Sequence, residues 1–208
     1  MDINYIFPPR AENAISYESI AKFDNGTLFA QPKLNGSCGV LFVDKLDYTL
    51  MSRHKEILTN VKLNKEDFLS LHRGTDRTVL VGEYLNKNKK HIDNKDFNHK
   101  FVIFDILTYN GIYLLGTSFK ARQDILNNLY RNESKYFDGY IRSIDDNMYI
   151  VENFNTGFSD LYKELIKIDL YEGIVMKMFN ALLESGRSKS NNTKSMIKCR
   201  KSTKNYVF

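Results

Sequence analysis

The sequence predicts an α+β fold of antiparallel sheets flanked by helices, and three observations carry that expectation. Short runs rich in β-branched and aromatic residues recur along the whole chain. Only a few longer segments keep the spacing of an amphipathic helix. Three prolines in 208 residues, with no repeat and no low-complexity tract, leave nothing to divide the chain, so residues 1–208 read as a single domain.

The first three strands are expected at Thr27–Lys33, Gly39–Val43 and Tyr48–Ser52, the last two joined by a hairpin turn at Asp44–Asp47. Asn64 stands where it can cap a helix over Lys65–His72, with Asp67 three residues on as a relative of the capping box. Strands Thr78–Leu85 and Phe101–Leu107 follow. Ser118 can cap a helix over Phe119–Tyr130, in which Phe119, Ile125, Leu126 and Leu129 recur at roughly helical spacing. Strand Met148–Glu152, a helix over Phe158–Ile168, and strands Gly173–Met178 and Ser195–Lys201 complete the set. Strands in hairpins with scattered helices argue for α+β rather than alternating βαβ units.

Composition excludes several classes. No segment approaches the run of about 20 apolar residues that a membrane-spanning helix needs, and the N-terminus lacks the basic-then-apolar layout of a secretory signal. Cys38 and Cys199 offer neither a disulfide framework nor metal-ligand spacing, which points to a reducing, cytoplasmic setting. The 13 tyrosines and 14 phenylalanines are ample for core filling or base stacking. Net charge is +5 and unevenly spread. Ser185–Phe208 holds seven Lys or Arg residues and no acid, while Lys87–Lys100 holds five lysines and two histidines against two aspartates. Such runs suit phosphate contact, or form an ordinary solvated surface.

The segment that points to chemistry is Gln31-Pro32-Lys33-Leu34-Asn35-Gly36. A lysine leaving a strand into a Gly-containing turn can be presented rigidly, and nearby cations or desolvation can free its amine to act as a nucleophile. Alone, the tetrapeptide Lys-x-Asn-Gly is a common turn. What gives it meaning is the ordered set behind it: Ser52-Arg53, Gly82-Glu83, Phe101–Leu107, Glu172–Lys177 and Ile197–Arg200, several of which put a charged residue at or beside a strand. A sheet-lined cleft could gather them around one triphosphate.

This set resembles the covalent nucleotidyltransferases, which comprise ATP-dependent DNA ligases, RNA ligases and mRNA capping enzymes. Lys33–Gly36 is similar to their Lys-x-Asp-Gly nucleophile motif, with Asn35 in place of Asp. Phe-Asp-Ile-Leu at 104–107, then Asn110-Gly111 and Arg122 in a helix, resembles DNA ligases more than capping enzymes. Gly186-Arg187-Ser188 ahead of Ile197-Lys198 is similar to bacterial-type ATP ligases. The fold implied is the DNA ligase adenylyltransferase (ATP-grasp-like) fold, with a nucleotide cleft. The activity implied is ATP-dependent polynucleotide ligation through a lysyl-AMP, on nicked DNA in preference to RNA. An RNA ligase and a catalytically silent nucleotide-binding relative stay open as alternatives.

The resemblance also implies roles. Lys33 would take AMP from ATP. Gln31 would contact the adenine amino group, Phe104 would stack on adenine, Arg53 would bind sugar or phosphate, and Glu83 would take a ribose hydroxyl. Glu172 would hold Mg²⁺ (or Mn²⁺) or its waters. Lys177 and Lys198 would neutralise the α-phosphate, with Arg200 in place of a second lysine. Apart from the resemblance, the acid-free basic run puts Arg187, Lys194 and Lys201 forward for nucleic-acid contact. Phe104 read alone is equally a core residue, and Asp105 is expected to be structural. Cys38 stands where DNA ligases usually carry an arginine, so Asn35 and Cys38 together favour the silent alternative. Family members continue into an oligonucleotide-binding barrel, for which the eight residues after Arg200 are too few. That leaves the barrel's role to a partner protein and suggests a minimal ligase, of a host's cytoplasm if the source is viral. The 32 residues before Lys33 favour ATP over NAD, being too few for the extra domain of NAD-dependent ligases.

Overall fold

Along the chain of the computed structural model, which describes residues 5–86, 89–91, 94–186 and 190–201, the strands are β1 (Arg10–Ala14), β2 (Leu28–Leu34), β3 (Ser37–Val43), β4 (Tyr48–Ser52), β5 (Thr78–Leu85) and β6 (Lys100–Tyr109). They continue as β7 (Ile112–Tyr113), β8 (Lys135–Tyr136), β9 (Ile141–Ser143), β10 (Met148–Val151), β11 (Tyr171–Met178) and β12 (Asn192–Arg200). The helices are α1 (Lys65–Leu69), α2 (Phe119–Leu126) and α3 (Phe158–Leu165).

Two sheets result. One runs β1-β12-β11-β2, and the other runs β4-β3-β5-β6-β10-β9-β8 with β7 paired to β6. The expected antiparallel pairing holds for most neighbours, but β1–β12 and β10–β6 are parallel. Strands β5 and β6 are buried along nearly their whole length, as central strands covered on both faces must be. Their apolar residues enter separate clusters: Leu80, Tyr84, Phe101, Ile103 and Ile106 in one, Val79, Val81 and Leu107 in another. A third cluster joins the sheets: Leu28, Ala30, Ile174, Met176 and Ile197 of the first pack with α3 and with Leu85, Val102, Tyr149 and Val151 of the second.

Local chemistry explains the element ends. Asp44 closes the β3–β4 hairpin by accepting from the backbone N–H groups of Leu46 and Asp47. In α1 the Asn64 N–H donates to Asp67 Oδ2 at 2.8 Å, and the helix ends at Leu69, shorter than the expected His72. The Ser118 hydroxyl accepts from Ala121 N at 3.2 Å to start α2, which widens into a π-turn over Asn127–Arg131. Phe158, Leu161, Tyr162 and Leu165 form the buried stripe of α3, and Asp24 Oδ2 accepts from the Gly157 and Phe158 N–H groups at its start. The segment before β1 ties the sheets together: Tyr5 Oη donates to Ser52 O at 2.7 Å, and Ile6 is buried against the second sheet.

Candidate active site

Three cross-strand rows of the first sheet make the floor of a cleft of about 300 Å³. Register aligns Lys33 with Gly173 and Arg200, then Gln31 with Val175 and Lys198, then Phe29 with Lys177 and Met196. Because side chains on a strand alternate between faces, Gln31 and Lys33, Val175 and Lys177, and Lys198 and Arg200 all point the same way. All six line the cleft. Gly173 sits at the centre of the first row with φ +144°, and a Cβ there would meet Cys199 O at 2.1 Å. Only glycine lets β11 lie this close to β12 between the two cations.

The second sheet supplies the wall. Arg53 follows β4, Glu83 lies on β5 and Phe104 on β6, and all three line the cleft with Cys38 of β3. The structure thus brings together the eight residues expected to bind or attack the nucleotide. Glu172 is adjacent, its Oε2 accepting from Lys33 Nζ in an ion pair one strand away. Lys194 and Lys201 do not line the cleft. Lys194 is exposed on β12, and the Lys201 N–H donates to Glu172 O at 2.8 Å. Arg187 lies outside the described residues.

Each group has a definite state. Gln31 is buried, and its amide nitrogen donates to Asn153 Oδ1 at 2.7 Å and to Phe104 O and Gln123 Oε1, each at 3.3 Å. With the nitrogen committed, its carbonyl oxygen is the group suited to an incoming amino donor. Burial pulls the Lys177 ammonium down to about 8, while Asp105 opposes the shift. That ammonium lies 4.9 Å from the Phe104 ring centroid and 4.7 Å from that of Phe119. Asp105 is buried with Arg122, which grips it through Nε at 2.9 Å and Nη2 at 3.1 Å. Burial alone would raise that carboxyl, yet Arg122 holds it below the usual range.

Two of the three departures from the resembled motifs, Asn35 and Cys38, have definite surroundings. With its amide nitrogen turned to Glu172 Oε1 and its oxygen to Lys89 Nζ, both at 2.9 Å, Asn35 braces the carboxylate that pairs with Lys33. An aspartate would set a second negative charge beside Glu172, so the amide keeps the organising contact without the repulsion. Burial, with Glu83 adding to it, pushes the Cys38 thiol up to about 12, which keeps it protonated and unreactive. Gly36 is required by contact: a Cβ would meet Tyr84 O at 2.5 Å, while its N–H donates to Glu83 Oε1 at 2.9 Å.

Glu83 titrates near neutrality. Desolvation raises it from the ordinary 4.5 to about 7, against the pull of Lys33 and the Gly36 N–H. A carboxyl raised by folding stabilises the native state fully below its unfolded value and loses that contribution as pH rises through about 7. Glu83→Gln is therefore expected to flatten the fall in melting temperature between pH 5 and pH 7.5. Parallel wild-type and variant profiles across that window would show that Glu83 is not the titrating group.

Arg10 lines the cleft but was not among the expected residues. Its strand reads Arg-Ala-Glu-Asn-Ala, with little apolar alternation.

Comparison with known proteins agrees with this fold. No curated protein sequence matches the chain. Among solved structures, mycobacterial DNA ligase D complexed with ATP and MES superposes with a TM-score of 0.66 at 18% identity, covering 96% of this chain and 62% of that one. The ligase domain from M. tuberculosis LigD gives 0.67 at 18% identity, covering 96% and 61%. The ATP-dependent DNA ligase from bacteriophage T7, in complex with ATP, gives 0.57 at 15% identity, covering 93% and 68%. These identities speak for the fold, and the chain spans about three fifths of the two mycobacterial chains. The family profile for the ATP dependent DNA ligase domain matches residues 8–199, nearly the whole chain, and the protein therefore belongs to that family.

Proposed function

We propose that this chain is the nucleotide-loading domain of an ATP-dependent DNA ligase, with Lys33 as its nucleophile. The observation that carries the reading is Lys33 itself, ion-paired to Glu172 and aligned in one row with Arg200 on the floor of the cleft. The amine must lose a proton before it attacks. Glu172, already its acceptor, takes that proton and passes it to solvent. The new bond joins Lys33 Nζ to the α-phosphorus of ATP, and the bond to the β-phosphate oxygen breaks, so pyrophosphate leaves with the electron pair. Lys198 and Arg200, which line the cleft with Lys33, would offset the charge that builds on the α-phosphate. A 5′-phosphate at a nick then displaces Lys33 from the AMP, and the 3′-hydroxyl displaces AMP to close the strand.

Recognition divides between the two sheets. Gln31 offers an acceptor to the adenine amino group, Phe104 a ring face to the base, and Glu83 and Arg53 polar contacts to the ribose and phosphates. Magnesium or manganese would supply further neutralisation of phosphate charge. Among the described residues no three of His, Cys, Asp and Glu gather as a cage, so the donor set fits an ion held mainly by phosphate oxygens and water, with Glu172 beside it. Lys194 and Lys201, with Arg187, are proposed to contact the DNA backbone.

Incubation with ATP or GTP and Mg²⁺, followed by intact-mass measurement, should show one added AMP and no GMP. Nicked DNA should then be sealed faster than the same nick in RNA. Absence of any nucleotide adduct would favour a silent binding relative. If Phe104 stacks on adenine, Phe104→Ala should weaken ATP use by about one to two decades, since such stacking is worth roughly 1–3 kcal/mol. Unchanged ATP dependence, or outright unfolding, would return Phe104 to the core.

A further inference from the structure

In-line displacement places the leaving group on the far side of the phosphorus from the attacking amine. With Lys33 on β2, the far side of the same sheet runs across β11 to β12 and then to the edge strand β1. Cations mark that direction. Lys198 stands on β12, and its ammonium donates to Ala11 O at 3.3 Å, beside Arg10 of β1. Arg10 is exposed on the edge strand and lines the same cleft as Lys33. On the second sheet the edge strand β4 leads directly into Arg53, which lines the cleft as well. The edges of both sheets therefore present an arginine to one cavity. The Tyr5–Ser52 bond holds the segment leading to β1 against the end of β4.

Basic side chains dominate this lining. Arg10, Lys33, Arg53, Lys177, Lys198 and Arg200 line the cleft with Glu83, and Glu172 beside it pairs with Lys33. Burial first, and then the positive charges of Arg10, Arg200, Lys33 and Arg53, pull the Lys198 ammonium below its ordinary value. Like charges gathered in a cleft repel one another, and a bound polyanion relieves that repulsion.

We propose that Arg10 is the leaving-group contact, binding the β- and γ-phosphates of ATP and then the departing pyrophosphate across the cleft from Arg53. This rests on the loading reaction proposed above. A guanidinium suits the task because its planar fork can hold two phosphate oxygens at once, which an ammonium cannot do. The contact acts in one step alone: it is made while pyrophosphate is present and is absent once AMP has moved to the nick.

Three measurements on the full chain test this. Arg10→Ala should slow single-turnover lysyl-AMP formation by about tenfold or more, the usual scale for losing a charge-assisted phosphate contact. Closure of a pre-adenylylated nick should stay within about twofold of wild type, because no pyrophosphate takes part. Arg10→Lys should recover only part of the loss. Calorimetric binding of inorganic pyrophosphate to adenylate-free protein should weaken by a similar factor in Arg10→Ala. An unchanged rate of lysyl-AMP formation would overturn the proposal. A parallel fall in both lysyl-AMP formation and nick closure would also overturn it, since Arg10 would then be supporting β1 rather than the leaving group. If the wild type forms no lysyl-AMP, the loading reading itself fails, and pyrophosphate affinity decides the matter for Arg10. Weaker binding in Arg10→Ala keeps the anion site, and equal binding removes it.

Discussion

Lys33→Ala should abolish nucleotide attachment in a protein that remains folded. Lys33 and Glu172 both sit at the cleft, 24% and 21% exposed, so water can reach the carboxylate left behind and the fold is expected to survive the change. The chemistry has no such tolerance, because Lys33 is the amine that the rows of the first sheet align with Arg200 and Glu172. Lys33→Arg should be equally inert despite keeping the ion pair, because a guanidinium stays protonated and cannot attack phosphorus. Intact-mass analysis of both variants after incubation with ATP and Mg²⁺, alongside their circular dichroism, checks this. Full labelling of a folded Lys33→Ala protein would remove the central claim.

The largest expected effect on stability lies beneath the cleft. Asp105 and Arg122 are 3% and 2% exposed, joined by two hydrogen bonds, and Arg122 also donates to Thr117 O at 2.8 Å. Removing one partner leaves the other charge buried without compensation, which costs about 3–5 kcal/mol. Arg122→Ala should therefore lower the melting temperature by on the order of 10 °C in a chain of this size. Replacing both residues with leucine should recover much of that loss, because a buried pair contributes less than its rupture costs. Urea unfolding of the two single variants and the double variant measures the coupling. Additive losses in the double variant would show that the pair is not a unit.

The strong elements and the cleft-lining residues were legible in the sequence for a common reason. Strands β2, β3, β5, β6 and β11 carry dense apolar runs, and Gln31, Lys33, Glu83, Phe104, Glu172 and Lys177 lie on them, so motif and strand coincide there. Strand β1 was not legible. Its residues have poor strand propensity, and what holds it is backbone pairing to β12, including Arg10 N to Asn191 O at 2.8 Å. Arg10 was invisible with it. Strands β7, β8 and β9 have two or three residues each, too short for any alternation to register. Asn35 counts toward the silent alternative in sequence because sequence does not reveal Glu172, 137 positions later, at hydrogen-bonding distance. Lys194 and Lys201 belong to a basic run, a signal that carries no direction, and neither lines the cleft.

The division of the cleft between two sheets has a consequence for the protein's durability. Lys33 belongs to one sheet and Phe104 to the other, and the sheets already meet in a shared cluster where Leu28, Ala30 and Ile174 pack with Leu85, Val102 and Val151. An AMP bonded to Lys33 and stacked on Phe104, as proposed, would add a further brace between them. Even without a covalent bond, a ligand at a hundred times its dissociation constant adds about 2.7 kcal/mol to the folded state. The charged protein would thus be the sturdier form, and handing over its nucleotide would loosen the seam between the sheets at the moment the cleft must empty and refill. Robustness in such a domain belongs to a stage of the cycle rather than to the polypeptide alone.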